Sequence, residues 1–449
     1  MSVNLASIGI SGIFAAEAQI AAVESNISNA SNPNYSVESV NLQATPSFNG
    51  AGAGVQILGT TRAEAPYLDT QINSAQSLES YNQAFSQATT LAQQILAPSS
   101  GSDLSSALQN MFNAFTNLSA SPQDATVRSA AIASLSQFAQ TDQSLSSGLA
   151  SAANSQLLQV GTLVTQVNQA SAQIAQLNQH INASQASGQS GAALEDQRDA
   201  LVNQLAGLIG ANADASGNIT VGGVPLVSGS SALTLATTGS GSSIGLEVTL
   251  SNGALPIDAT QVGGTLGGVL SGASNTLQLR SQVDDLASSI AGAMNTQASS
   301  GYGLDGSTGT NLFTVTPGDA VSVNSALTVQ NLGASATAAG VPGDGSNAAA
   351  LASIASEQGL ISSIPDSTPG EAFSTISSNF GTLVQNATNS QQQSQATLQS
   401  LTQLKSSITG VSLNDQLTQL IQYQNLLEAS GRAVQAASDI TQFLVQNVT

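Results

Sequence analysis

Near each end of the chain, apolar and small side chains recur at steps of about three and four, the spacing of a helix face that another helix must cover. In the first thirty residues the series is Ile13, Ala16, Ile20, Val23, Ile27 and Ala30. Towards the other end it runs from Leu413 through Leu417, Leu420, Leu427, Val434, Ile440 and Leu444 to Val448. Both segments are predicted to be amphipathic helices that pair with each other and with copies of related subunits. A solitary helix gains too little from one buried stripe to offset the entropy of ordering its backbone. Both terminal helices are therefore expected to be mobile in the monomer and to order on assembly. Pro33 ends the first one, because its ring disfavours helical geometry at Asn32, and Asn34 and Ser36 suit the turn that follows.

Helical patterns fill most of the interior, over residues 66–96, 103–118, 122–181 and 194–209. In the third, Val160, Val164, Val167, Ser171, Ile174, Asn178 and Ile181 alternate steps of four and three, with Ser171 and Asn178 reading as register-setting positions or breaks. A turn at Gly188 and Gly191 returns the chain through Leu194, Arg198, Leu201, Leu205 and Leu208, giving an antiparallel helical hairpin. After Gly210 the period drops to two, with Ile219, Val221, Val224 and Leu226 around a Gly-Gly turn, then Leu233, Leu235, Leu246, Val248 and Leu250. Gly263, Gly264, Gly267 and Gly268 read as turn residues before a helix over 274–298. Residues 301–346 are Gly- and Ser-rich with a strand candidate at 321–329, and a long helix is expected over 370–407.

The predicted fold class is mainly α, with paired terminal coiled-coil helices, a long-helix bundle forming a rod, and a small inserted β-rich outer domain at its far end. Residues 1–40 with 411–449 form the terminal layer. Residues 41–210 with 263–300 and 347–410 form the bundle. Residues 211–262 with 301–346 form the β-rich domain.

Composition narrows the function. Charged residues are 7% of the chain, with six Lys plus Arg against 26 Asp plus Glu and a formal charge of −20. That balance lacks the basic footprint of a nucleic-acid binder and disfavours acidic membranes as partners. There is no cysteine, hence no thiolate nucleophile or Cys-ligated metal. The first basic residue is Arg62, and no unbroken apolar run approaches ~18 residues, so neither a secretory signal nor a membrane span is expected.

Candidate chemistry is sparse. His180 is the single histidine, so a second imidazole for a metal site or proton relay is missing. Asp196, Arg198 and Asp199 read as an intersubunit or helix-to-helix ion-pair cluster. Asp284 and Asp285, being consecutive, point in different directions on a helix. The loop Gly303 to Gly309 lacks the acidic spacing and terminal Glu of a calcium loop. Gly9 and Gly12, like Gly263 to Gly268, sit in no phosphate-binding unit and read as close-packing or turn residues. No enzyme activity, cofactor or metal is expected.

Several motifs then fall together. Asn26 Ile27 Ser28 Asn29 Ala30 Ser31 Asn32 Pro33 Asn34 Tyr35 Ser36 resembles the N-I-x-N-x-x-x-P-G-Y-[ST] segment shared by rod, hook and hook-associated proteins, with Asn34 standing where the pattern has Gly. Asn tolerates left-handed geometry well enough to keep that turn. Gly54 to Ile57, Arg62, and Tyr67 to Gln71 are similar to the stretch that follows it. Phe112 to Pro122 resembles a F-x-x-x-x-x-L-S-x-x-P turn between helices. Ile174 to Asn178 with Leu194 Glu195 Asp196 Gln197 Arg198 Asp199 resembles the pair I-x-x-L-N and L-x-D-Q-R-D, and Gly263 to Gly268 resembles G-G-x-L-G-G.

Together these resemble the flagellar hook-associated protein 1 family. The resemblance implies a structural adaptor between hook and filament, outside the cell, exported by the flagellar type III apparatus without a cleaved signal. It implies contacts through Ile13, Ala16, Ile20, Val23, Ile27, Asn29, Pro33, Tyr35 and the C-terminal seam. The implied partners are other copies in a ring, the hook protein, hook-associated protein 3, and an export chaperone on the C-terminal helix. Members of the family often carry a further outermost domain, expected here to be reduced or absent. The rivals are flagellin or hook-associated protein 3, which the Pro33 to Tyr35 turn and the Asp196 to Asp199 segment disfavour; an adhesin, which lacks visible repeats; and a secreted hydrolase, which lacks a nucleophile with its base.

Overall fold

The structure is a computed structural model describing residues 2–46, 54–97, 103–187, 191–214, 216–239, 244–250, 253–316 and 320–448. Helix α1 (Ser2–Ser28) leads through a turn into a β-hairpin, β1 (Glu38–Ala44) and β2 (Val55–Arg62). Helix α2 (Pro66–Leu96) then runs away from this terminal layer, and α8 (Pro369–Thr409) returns antiparallel against it, tied by an Asn82 amide to the Ser390 carbonyl at 3.4 Å and by Lys405 to Asp69 at 2.6 Å. The last helix, α9 (Leu413–Val448), lies against α1.

Helix starts are chemically marked. Pro66 and Pro369 occupy first-turn positions, where no intrahelical N–H is needed, and Thr368 with Glu371 forms a capping box. Asp103 caps α3 (Leu104–Ala120) by accepting from the Ser106 amide, and Asp124 caps α4 (Ala125–Ala186) by accepting from Thr126 and Val127.

Helix α4, with 62 residues and a length of about 90 Å, crosses two cores. The one distant from the terminal layer joins Phe112, Phe115, Leu135 and Phe138 of α3 and α4 to Leu286 and Ile290 of α6 (Gly264–Ser299), Leu351 of α7 (Ser346–Ser353) and Phe373 of α8. The nearer core joins Val160, Val167 and Ile174 of α4 to Val202 and Leu205 of α5 (Ala192–Ile209) and to the interior faces of the strands. Those strands form two antiparallel sheets: β3 (Asn212–Ala213), β4 (Ile219–Val221), β5 (Val224–Ser228) and β6 (Ser231–Ala232) in one, and β7 (Thr234–Thr238), β8 (Gly245–Leu250) and β9 (Gly253–Ile257) in the other. The fold is mainly α, with long helices and small antiparallel sheets. Helices α4 and α5 are antiparallel, as expected; the Gly188 part of their turn lies outside the described residues.

Four features depart from the sequence expectation. Residues 301–346 do not join 211–262. They carry the short pair β10 (Phe313–Thr314) and β11 (Ser322–Val323), and Leu312, Phe313, Val321, Leu332 and Ala334 are buried in the distant helical core. Arg128 pins this segment. It is 1% exposed and its guanidinium donates to the carbonyls of Pro122 and Val329, each at 2.6 Å, and to that of Leu332. The β sheets of 211–257 flank the α4–α5 hairpin and are not at the far end of the rod.

The second departure is α6, which begins at Gly264 and not near 274. Glycine usually breaks helices, but here it permits backbone contact: a Cβ at Gly268 would lie 2.3 Å from the Tyr81 carbonyl oxygen. Third, residues 38–44 and 55–62 pair as β1 and β2 and are not part of the helical bundle. Asn41 faces Gly59 and Leu42 faces Ile57, so Leu58 is an extra, bulged residue. Fourth, residues 6–28 of α1 are long and apolar enough to cross a membrane on those two criteria alone. Ala, Ile and Val raise the mean hydropathy there although Glu17, Gln19, Glu24 and Asn26 interrupt every run.

Candidate assembly interface

The terminal layer is an antiparallel pair of helices. A Cβ at Gly9 would lie 2.7 Å from Val434 Cγ2, and one at Gly12 would lie 2.8 Å from Ser430 Oγ, so the two backbones approach as closely as glycine allows. One line of sheltered positions on α1 runs through Gly9, Gly12, Ala16, Gln19, Val23 and Asn26, with Ala15 also buried beside it, and a matching line on α9 runs through Gln416, Leu420, Tyr423, Leu427, Ser430, Val434 and Ala437, both in steps of three and four.

The residues singled out by sequence divide between two environments. Ala16 and Val23 are buried; Ile13, Ile20, Ile27, Asn29 and Tyr35 are half-buried, as are Leu420, Leu427 and Val434; Pro33 is exposed in the turn. Leu413, Leu417, Ile440 and Leu444 stand outside the α1–α9 seam, 50%, 50%, 49% and 48% exposed. Ile421, Leu426, Phe443 and Val445 likewise leave large apolar side chains exposed along α9, and on α1 Ile10 and Phe14 are also exposed.

Sequence reasoning missed the polar joint that holds this layer together. The Asn26 side chain uses its whole hydrogen-bonding capacity. Its Nδ2 donates to the Glu38 carbonyl and to Gln416 Oε1, each at 2.9 Å, and its Oδ1 accepts from the Glu38 amide at 2.9 Å and from the Tyr35 hydroxyl at 2.8 Å. One residue thereby ties α1 to the hairpin and to α9. Burial raises the pKa of Tyr35, and burial with the nearby Asp196 charge raises that of Glu38. Asn26 is the first residue of the N-I-x-N motif and lies three positions after the seam residue Val23, and that placement of an amide on the helix line is the signal that could have exposed it.

A second knot joins the layer to the rod. Arg62, at the end of β2, reaches Asp196 Oδ1 and Asp199 Oδ2 at 2.7 Å each, and Glu195 and Glu64 at 3.3 Å each. Burial alone would lower its pKa, but Asp199 and Asp196 outweigh burial and the net shift is upward. Asp196 also accepts from the Ser36 amide at 3.4 Å. The cluster expected at Asp196, Arg198 and Asp199 is thus an intrachain one whose main cation is Arg62; Arg198 lies 3.6 Å from Asp199. Close by, the Val37 amide donates to the Thr409 carbonyl and the Ala63 amide to the Val37 carbonyl, each at 2.9 Å.

His180 is exposed on α4, and among the described residues no group of three or more His, Cys, Asp or Glu could hold a metal ion. In the Gly303 to Gly309 loop, Asp305 is satisfied by the Ser307 hydroxyl and amide, which lower its pKa.

Comparison with known proteins gives a consistent result. The model of the flagellar hook-associated protein FlgK helical domain matches residues 89–313. Flagellar hook-associated protein 1 of Salmonella typhimurium is 30% identical over 335 residues, covering 70% of this chain and 59% of that protein; the Escherichia coli protein of the same name is 29% identical over 335 residues, covering 70% and 60%. The match therefore spans less than two thirds of these relatives' length. The structure of the flagellar hook junction protein FlgK from Burkholderia pseudomallei superposes with a TM-score of 0.50 at 27% identity, over 55% of this chain and 46% of that one. With half of its length matched by the helical-domain model, the chain belongs to the FlgK family of flagellar hook-associated proteins.

Proposed function

We propose that this chain is a structural adaptor of the bacterial flagellum that joins hook to filament, assembling through its terminal helices and acting by geometry without catalysis. The observation that carries the reading is the apolar surface left over once α1 and α9 have paired. Leu413, Leu417, Ile421, Ile440, Phe443, Leu444 and Val445 on one helix, and Ile10 and Phe14 on the other, expose large side chains that a monomer in water has no use for. A ring of copies would cover them, because a helix pair with apolar patches on its outer faces closes its own unsatisfied surface by repetition around an axis. The hook protein and hook-associated protein 3 are the partners proposed on the two sides of the ring, and an export chaperone is proposed on α9 before assembly. The proposed site of action is extracellular, in the flagellum.

The test is deletion of the gene followed by electron microscopy of the cells. Hooks without filaments, with flagellin lost to the medium, are expected; normal filaments would overturn the proposal. A chain lacking residues 411–449 is expected to be exported and not incorporated.

A further inference from the structure

The terminal layer is linked to the rod by two short crossings, residues 63–65 and 410–412, and short linkers alone do not fix an angle. What fixes it must be side chains that cross the boundary. Among the described residues the densest such contact is the clamp on Arg62. Its guanidinium, 11% exposed, presents Nη1 to Asp196, Nη2 to Asp199 and Nε to Glu195. Two donors of one rigid plane, Nη1 and Nη2, are engaged by two carboxylates of one helix, while Nε donates to Glu64 and lies 3.3 Å from Glu195, so the orientation of the plane relative to α5 is set and not only its distance. Lys, a point charge on a flexible stem, could supply the attraction but not the orientation.

From Arg62 the constraint continues into the layer. Arg62 pairs with Glu38 across the hairpin, both backbone polar groups of Glu38 hold Asn26, and Asn26 holds Gln416 of α9. At the other end α5 is fixed in the rod by Val202 and Leu205, which are buried in the nearer core. A continuous path of short contacts thus runs from rod to α9. We infer that Asp196 and Asp199 are positioning residues which, by clamping Arg62, set the direction in which the terminal helix pair leaves the rod. A ring of subunits closes only if every copy presents its helices at one angle, so this clamp determines whether the exposed patches of neighbours meet. That consequence rests on the proposed function; the clamp itself does not.

The chain has no cysteine, so a reporter pair can be introduced cleanly. Val37→Cys with Thr409→Cys places two thiols across the boundary, where the backbones are already hydrogen-bonded at 2.9 Å. In the purified chain, Arg62→Met is expected to slow disulfide formation by about tenfold or more, the effect of losing one partner of a partly buried ion cluster, while the melting of the rod helices is unchanged. In cells, Arg62→Met and the Asp196→Asn, Asp199→Asn double variant are expected to be exported normally and to leave most hooks bare. Oxidising the reporter pair in the Arg62→Met background is expected to restore filaments, and reduction to remove them again. The inference is overturned if the reporter closes within twofold of its original rate without Arg62, or if the oxidised Arg62→Met chain still leaves hooks bare. The first readout uses no flagellar activity, so its failure is distinct from failure of the adaptor reading.

Discussion

Asn26 Nδ2 donates to Gln416 Oε1 at 2.9 Å across 390 residues of chain. The contact is buried, and the same Asn26 side chain holds Glu38 and Tyr35. Asn26→Leu fills a similar volume but strands the Gln416 oxygen and the Glu38 amide, a loss of about 2–4 kcal/mol from the layer. The expected result is faster hydrogen exchange over residues 413–448 with little change over α4. Equal protection in both variants would contradict it.

Gly268→Ala inverts the usual rule. Replacing a helical glycine by alanine ordinarily gains up to about 1 kcal/mol. Here the new Cβ would sit 2.3 Å from the Tyr81 carbonyl oxygen, a backbone atom that cannot swing away. Overpacking of this kind costs about 1–3 kcal/mol, so thermal melting should show net destabilisation.

Asp142 makes stability depend on pH in an unusual direction. It is fully buried, accepts from the Val321 amide at 3.0 Å, and sits near Asp284. Burial drives its carboxyl up to about 7 from 3.8, with the Val321 amide opposing the shift and the Asp284 charge adding to it. Between those values the folded state holds the extra proton, so the contribution is fully present below about pH 4 and is lost as pH rises through about 7. The melting temperature is expected to fall from pH 5 to pH 8, and Asp142→Asn to flatten that slope.

The outer patches of α9 separate folding from assembly. Leu417→Ser with Ile421→Ser changes two exposed side chains, so stability should move by less than about 1 kcal/mol. Filament attachment is nevertheless expected to fail. Circular dichroism and counts of filament-bearing hooks report the two effects separately.

Arg128→Lys tests the pin on the 301–346 segment. A lysine ammonium cannot span the carbonyls of Pro122, Val329 and Leu332 that the guanidinium fork serves. Leaving buried acceptors unpaired should cost about 2–3 kcal/mol, visible as proteolytic sensitivity near Leu332.

The helices were legible because their apolar faces repeat over many turns: α2 spans the predicted 66–96, and the predicted start of α5 lies two residues inside its observed start. The β1–β2 hairpin was not, since its strands are half-exposed and interrupted by a bulge, leaving no clean alternation. Residues 301–346 looked like outer-domain sequence because Gly and Ser dominate, and the few apolar residues that bury in the helical core are too scattered to carry a period. The seam on α1 was read with Ile13, Ile20 and Ile27, whereas Gly12, Gln19 and Asn26 sit one position earlier on the close-packed line. Large apolar residues dominate a periodicity search, while small and polar ones make the closest contact. Arg62 was quoted only as part of a motif; its role depends on Asp196 and Asp199, more than 130 residues away, and no local pattern encodes that.

Since the face that shelters α1 is supplied by residues 413–448, the layer has a built-in completeness check. A polypeptide cut short anywhere between the two helices carries half a seam, with Gly9 and Gly12 facing water. On the proposed function such a product could not complete the helix pair through which copies assemble, so the pairing of α1 with α9 would act as proofreading at the point of incorporation.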